Sequence, residues 1–342
     1  MKKYSRFIIG ILLLLLAAGA WIFLGPATGF SENSKYLYIY TSKADKASVM
    51  ESVSKEKIVS MPWAFEWLAS RFSYWKKIKP GRYEIKKGDN LLGIVRKLRN
   101  GRQSAVKLVI NKIRTREELA GILGRNFECD SISVYSFLSN NDSLKRFGLD
   151  SNTAITAFIP NTYLIFWNTS AGKLFRRFYS EQEKFWNSDR LAKAKQKGLS
   201  KEEIYTLASI VEEETIKAQD KPLIASVYIN RMKKGMNLGA DPTIKFALKD
   251  FTLKRILSGH ITRTEDNPFN TYKHKGLPPG PICTPSAATI DAVLDAPATN
   301  YLFFCARPDL SGLHAFAASD KEHLQNATKY HRFLDSLHVT ND

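Results

Sequence analysis

Apolar and polar positions divide the chain into an uninterrupted apolar head and a long body of alternating and helical patterns. From Phe7 to Leu24 no charged residue occurs. Eighteen residues at about 1.5 Å each cover about 27 Å, close to a bilayer core, so this run predicts a membrane-spanning helix. Lys2, Lys3 and Arg6 precede it. Basic flanks stay on the cytoplasmic side, which makes residues 1–6 a cytoplasmic tail and exports the rest of the chain. A cleaved signal peptide is the rival, because Ala18-Gly19-Ala20 resembles a small-residue cleavage site. The apolar run continues through Trp21 and Leu24 beyond that site, which favours the anchor.

Residues 25–35 read as a short linker containing Gly, Pro and Ser. Tyr36 to Thr41 is rich in β-formers and predicts a strand. Ala47 to Val53 and Met61 to Phe72 carry helical patterns, the second with Pro62 near its start, where proline is tolerated. Arg82 to Lys86 alternates as a strand after the Pro80-Gly81 turn signal. Leu91 to Arg99 is a helix capped by Asp89 or Asn90 and ended by Asn100-Gly101. This strand, turn and helix resemble small LysM-like glycan-binding modules.

Further along, Val106 to Ile110 predicts a strand. Helices are predicted over Arg114 to Leu123, Ser133 to Leu138, Ala171 to Trp186 and Pro222 to Arg231. Lys201 opens another helix, in which Ile204, Leu207, Ala208 and Val211 recur at helical spacing and run into Glu212, Glu213 and Glu214. At about 100° per residue, Glu213 points away from the apolar stripe into solvent, while Glu212 and Glu214 flank it. A flanking carboxylate is partly desolvated, and desolvation lets it keep a proton as a general acid must. Helix geometry leaves Glu212 and Glu214 equivalent. Interspersed strands and helices, with polar loops after residue 235, indicate an α+β class.

A net charge of +18 favours polyanionic surroundings. No zinc-finger spacing, RNP-like motif or helix-turn-helix pattern supports nucleic acid, and export weakens that reading further. Cys129, Cys283 and Cys305 are odd in number and widely spaced, which argues against a disulfide framework or a zinc site. His260, His274 and His314 lack any HExxH-like spacing, so neither a metal nor another cofactor is expected. No G-x-S-x-G elbow or phosphate loop occurs.

Three later loops are rich in turn-formers. In Gly239-Ala240-Asp241-Pro242-Thr243, Asp241 and Thr243 are placed to cap the next helix. Asn267-Pro268-Phe269-Asn270-Thr271-Tyr272 offers amides, a hydroxyl and two aromatics, which suit sugars. Gly276-Leu277-Pro278-Pro279-Gly280-Pro281 forms a stiff loop, and Ser286 or Thr284 caps the helix from Ala287 to Leu294.

In this order the segments Leu207–Thr215, Ala225–Arg231, Asp241-Pro242-Thr243, Phe269–Tyr272 and Gly276–Ile282 resemble the MltG/YceG-like endolytic murein transglycosylases. With Pro80-Gly81-Arg82-Tyr83 the resemblance covers nearly the whole chain. It implies a single-pass protein of the inner membrane, with a LysM-like subdomain in residues 36–105 and a periplasmic catalytic domain in residues 106–338. It implies cleavage of nascent peptidoglycan strands between N-acetylmuramic acid and N-acetylglucosamine, leaving a 1,6-anhydro end. Association with penicillin-binding synthases is implied by the family alone.

The family's catalytic glutamate falls on Glu212, which breaks the tie left by geometry. Glu214, Asn230, Asp241, Thr243, Asn270, Tyr272 and Pro279 become candidates to bind the sugar or hold Glu212. One carboxyl then suffices: it protonates the leaving oxygen and afterwards takes the proton of the muramoyl 6-hydroxyl. Where many members carry a Glu-Gly pair and then Pro-Asp-Thr-Tyr, this chain has Ile155 to Pro160 followed by Asn161-Thr162-Tyr163, which removes a second carboxylate there. The alternatives are a non-catalytic scaffold of the cell-wall machinery and a muramidase that uses water.

Overall fold

The computed structural model describes residues 2–339; Met1 of the expected tail and residues 340–342 lie outside the described residues. The chain forms two compact units. The first runs to Leu108 and adds Leu123–Asp130 and Tyr163–Ser170; the second holds Val109–Ile122, Ser131–Thr162 and the chain from Ala171 onward. Among the described residues the strands pair in twos and helices predominate, an α+β architecture.

The first unit begins with helix α1 (Lys2–Leu24) and strand β1 (Ser34–Ile39). Helices α2 (Lys46–Lys55) and α3 (Pro62–Arg71) follow, with Pro62 opening α3. Strand β2 (Gly81–Lys86) pairs antiparallel with β1, from Ser34 opposite Lys86 to Ile39 opposite Gly81. Tyr83 and Ile85 alternate inward, as a half-buried strand requires. Helix α4 (Leu91–Asn100) starts at Asn90, whose side chain accepts the Gly93 N–H at 2.7 Å. It ends at Gly101 with φ 68°, a left-handed position that favours glycine. Strand β3 (Ala105–Ile110) completes this stretch. Leu37, Val53, Phe65, Tyr83, Ile94 and Leu98 meet in one core. Returning segments tie onto its edge: Trp167 packs edge-on against Tyr38 and Tyr40, and Glu128 accepts the Thr41 N–H and hydroxyl.

The stretch read as a linker is built into this unit. Ala27 N donates to Asp89 O at 3.1 Å, Ser60 N donates to Ala27 O at 2.8 Å, and Ala27 is buried. Small residues there carry little side-chain signal, so their polar composition hid an ordered edge.

The chain continues through α5 (Arg116–Asn126), α6 (Ser131–Ser139), α7 (Asn141–Lys145) and β4 (Asn161–Phe166). Next come α8 (Ala171–Phe185), α9 (Ser188–Lys197), α10 (Lys201–Glu214) and α11 (Lys221–Lys233). The remainder is α12 (Asp241–Leu248), α13 (Ser258–Arg263), α14 (Ala287–Leu294), the hairpin β5 (Phe303–Ala306) with β6 (His314–Ala317), and α15 (Asp320–Val339).

Helix α10 is the centre of the second unit. Its start is a capping box: the Ser200 hydroxyl accepts the Glu203 N–H, and the Glu203 carboxylate accepts the Ser200 N–H. Every residue from Ile204 to Val211 is buried, so the helix is enclosed all round rather than along one stripe. The proline-rich loop is fastened to it, with Ile282 N donating to Ser209 Oγ at 3.0 Å. Gly280 is required there, because a Cβ would come within 2.2 Å of the Asn152 carbonyl oxygen.

Candidate active site

The three glutamates at the end of α10 enter three different environments. Glu212 turns toward α11 and α14, where donors converge on one oxygen. Lys221 Nζ donates to Oε2 at 2.8 Å, Ser286 Oγ at 3.2 Å, and Thr289 Oγ1 also donates to it. Lys221 Nζ also donates to Thr289 Oγ1 at 2.6 Å. The other oxygen, Oε1, has no partner among the described residues. The Glu212 side chain is 15% exposed and that of Lys221 13%, so the pair is sheltered yet reachable. Ser286 caps α14 as expected and serves Glu212 as well.

Burial raises the pKa of Glu212, but the Lys221 and Thr289 hydrogen bonds and the Lys221 charge outweigh it and hold the carboxyl below its usual range. The expectation that desolvation leaves Glu212 protonated is therefore corrected for the unliganded protein: Glu212 stands there as a carboxylate.

Glu214 behaves in the opposite way. The residue is half-buried, and burial pushes its pKa up to about 7. The Tyr228 hydroxyl donates to its Oε1 at 2.6 Å and opposes that rise, while the Asp241 charge adds to it. Tyr228 is itself held well above the ordinary phenol range by burial and by Glu214. The Tyr272 hydroxyl donates to Asp241 Oδ1 at 2.5 Å in the same neighbourhood.

Glu213 does not point into solvent. It pairs with Lys112 at 3.2 Å and accepts Arg114 Nε and Nη2 on its two oxygens, and its side chain is only 16% exposed. The single-stripe reading failed because α10 is surrounded, so no direction along its last turn is open by default.

Several predicted site residues act as braces. Asn230 donates its amide to the Thr299 and Tyr301 carbonyls at 2.8 and 2.9 Å. Asn270 donates to the Ile261 and Thr264 carbonyls and accepts the Tyr272 N–H. Thr243 donates to Ala240 O at 2.7 Å and meets Thr271 at 2.9 Å. Neither Asp241 nor Thr243 caps α12, whose N-cap is Ala240. Pro279 is exposed on its loop. Phe269 packs on Phe246 with centroids 4.7 Å apart, and both line a cavity of about 310 Å³ with Arg114, Asn152, Ile155 and Pro281. The three loop histidines do not converge: His260 accepts the Leu257 N–H, His274 meets the Glu265 carbonyl, and His314 pairs with the buried Asp220.

Lys221 and Thr289 were missed from the sequence. Lys221 had a signal, since a lysine in the first turn of a helix opposes the dipole and calls for a local partner. Thr289 looked like an ordinary helix residue.

The model of the YceG-like family matches residues 40–329. An endolytic murein transglycosylase of Bacillus subtilis (strain 168) is 25% identical over 340 residues, covering 92% of this chain and 91% of that protein. One from Streptococcus pneumoniae serotype 2 is 28% identical over 219 residues, which is 62% of this chain and 38% of that longer protein. A crystal structure of a yceG-like protein from Listeria monocytogenes has the same fold, with a TM-score of 0.54 at 24% identity, over 86% of this chain and 99% of that one.

Proposed function

The chain belongs to the YceG-like family, and from that premise we propose that it is an endolytic murein transglycosylase, a lyase acting on peptidoglycan. The bond cut is the one between N-acetylmuramic acid and N-acetylglucosamine in nascent strands. Helix α1 anchors the enzyme in the cytoplasmic membrane, residues 36–105 include the LysM-like subdomain, and residues 106–338 form the catalytic domain outside. Its Arg6–Leu24 stretch is long and apolar enough to cross a membrane. Penicillin-binding synthases are proposed partners.

The observation that carries the site is the asymmetry of Glu212. Its Oε2 is gripped by Lys221, Ser286 and Thr289, while Oε1 is left for a substrate oxygen. A glycan whose oxygens draw Lys221 away removes a charge and one of the hydrogen bonds that keep Glu212 ionised. Burial, the largest influence on this carboxyl, then lifts its pKa and lets it take up a proton. Protonated Glu212 donates to the glycosidic oxygen as that bond breaks. The carboxylate so formed accepts the proton of the muramoyl 6-hydroxyl as that oxygen bonds to C1. Water is not consumed, so a second catalytic carboxylate is unnecessary.

In this reading Glu214, Asn230, Asp241, Thr243, Asn270 and Tyr272 hold the frame around the cleft, and exposed Pro279 is a candidate contact for the strand. Mass analysis of glycan strands digested by the full chain tests the reaction. Anhydro ends are expected. Reducing ends would replace the proposal with a hydrolase, and intact strands would leave a binding protein.

A further inference from the structure

Tryptophans are seldom left in water when a core is near, yet α3 exposes two. Trp63 and Trp67 are 62% and 52% exposed, one helical turn apart on the same face, while Ala64, Phe65, Leu68 and Ala69 bury the other. They stand beside the end of α1: the Phe23 and Trp67 rings lie 5.2 Å apart, tilted by 31°. An apolar groove there is lined by Leu15, Leu16, Phe23, Leu68 and Leu92.

Basic residues follow one turn later on each helix. On α3, Arg71 comes four residues after Trp67; on α4, Arg96 comes four residues after Leu92, with Arg99 beyond. Arg96 sits over the Phe72 ring at 5.9 Å. The acid of α3, Glu66, is already paired with Lys46. Residues 25–108 contain seventeen Lys and Arg against seven Asp and Glu. The hydrogen bonds that pin residues 27–29 also deny this unit a free tether, so it stays close to the exit of α1.

We propose that the first unit rests on an anionic bilayer surface, with Trp63 and Trp67 in the interfacial layer beside α1 and Arg71, Arg96 and Arg99 toward the lipid phosphates. Tryptophan suits that layer because its ring is apolar while its N–H needs a polar partner. Anionic headgroups attract juxtamembrane basic residues. The proposal rests on reading α1 as a membrane anchor.

Fluorescence quenching of the full chain in nanodiscs tests it, with phosphatidylglycerol and phosphatidylethanolamine brominated high on the acyl chains. The wild type, Trp21→Phe and the double variant Trp63→Phe/Trp67→Phe are compared. The expected result is that the double variant loses most of the lipid-dependent quenching that does not come from Trp21, and that exchanging phosphatidylglycerol for phosphatidylcholine weakens the quenching of Trp63 and Trp67. If Trp21 is quenched but the double variant matches the wild type, the anchor stands and the seat is overturned; the two tryptophans would then face a glycan or protein. If Trp21 is not quenched, the anchor reading falls and this proposal with it. Equal quenching in phosphatidylcholine would overturn the role of the arginines.

Discussion

Glu212 and Glu214 lie two residues apart on one helix and have opposite electrostatics. Around Glu212 the partners are a lysine and two hydroxyls, and one oxygen is left open. Around Glu214 the partner is a buried phenol, and burial raises the pKa of the carboxyl. A flexible ammonium can be displaced by a ligand, and on the proposed mechanism the charge state of Glu212 follows that displacement. The Glu214 proton is set by the fold itself. A carboxyl that already holds a proton near neutrality is the more obvious acid, yet the Tyr228 hydroxyl occupies Glu214 Oε1 while Glu212 keeps one oxygen without a partner among the described residues. The partners each carboxyl has, more than its resting pKa, separate the catalytic candidate from the structural one.

The largest effect is expected from Glu212→Gln. Gln keeps an acceptor for Lys221 and Thr289 but cannot transfer the proton, so turnover on isolated strands should fall by about 10²–10⁴-fold with little change in melting temperature. A comparable fall in stability would make Glu212 a structural residue like Glu214.

Glu214 should instead announce itself in stability. Its folded pKa near 7 lies above its ordinary 4.5, so its contribution is fully present below the lower value and is lost as pH rises through the higher one. Relative to Glu214→Gln, the wild type should lose up to about 3 kcal/mol of stability between about pH 5 and pH 8, measured by denaturant unfolding in detergent. A parallel pH dependence in both proteins would contradict the raised pKa of this carboxyl.

Tyr228→Phe removes the one hydroxyl that Glu214 uses and should cost about 1–3 kcal/mol, with activity per folded molecule nearly retained. Asn230→Ala, which frees the Thr299 and Tyr301 carbonyls, should cost about 1–2 kcal/mol by the same readout. Lys221→Met should give the subtlest signature. Burial would then be opposed chiefly by the Thr289 hydrogen bond and the Lys112 charge, so the limb of the pH–rate profile that reports its protonation should move to higher pH. An unmoved limb would detach Lys221 from the proton of Glu212.

Much of this frame was legible in the chain because it is written locally. The caps at Asn90, Gly101, Ser200 and Ser286 are short-range chemistry, and each helix they bound appears where its pattern placed it. Strands β5 and β6 were not, since all their residues but the buried Ala317 are half-exposed and show no alternation. Strand β4 and helices α9 and α15 also went unread. The site was half legible. The order of motifs singled out Glu212, but its partners Ser286 and Thr289 are more than seventy residues away, and the arginine that captures Glu213 is ninety-nine residues away. Helix periodicity assigns a direction to a side chain; only tertiary structure says what waits there.

The most direct test compares the glycan ends produced by Glu212→Gln and Glu214→Gln, each assayed at a temperature where it is folded. Loss of anhydro ends in Glu212→Gln, with their persistence in Glu214→Gln, is the predicted result. Persistence in Glu212→Gln and loss in Glu214→Gln would move the chemistry to the Glu214 carboxyl and contradict the account.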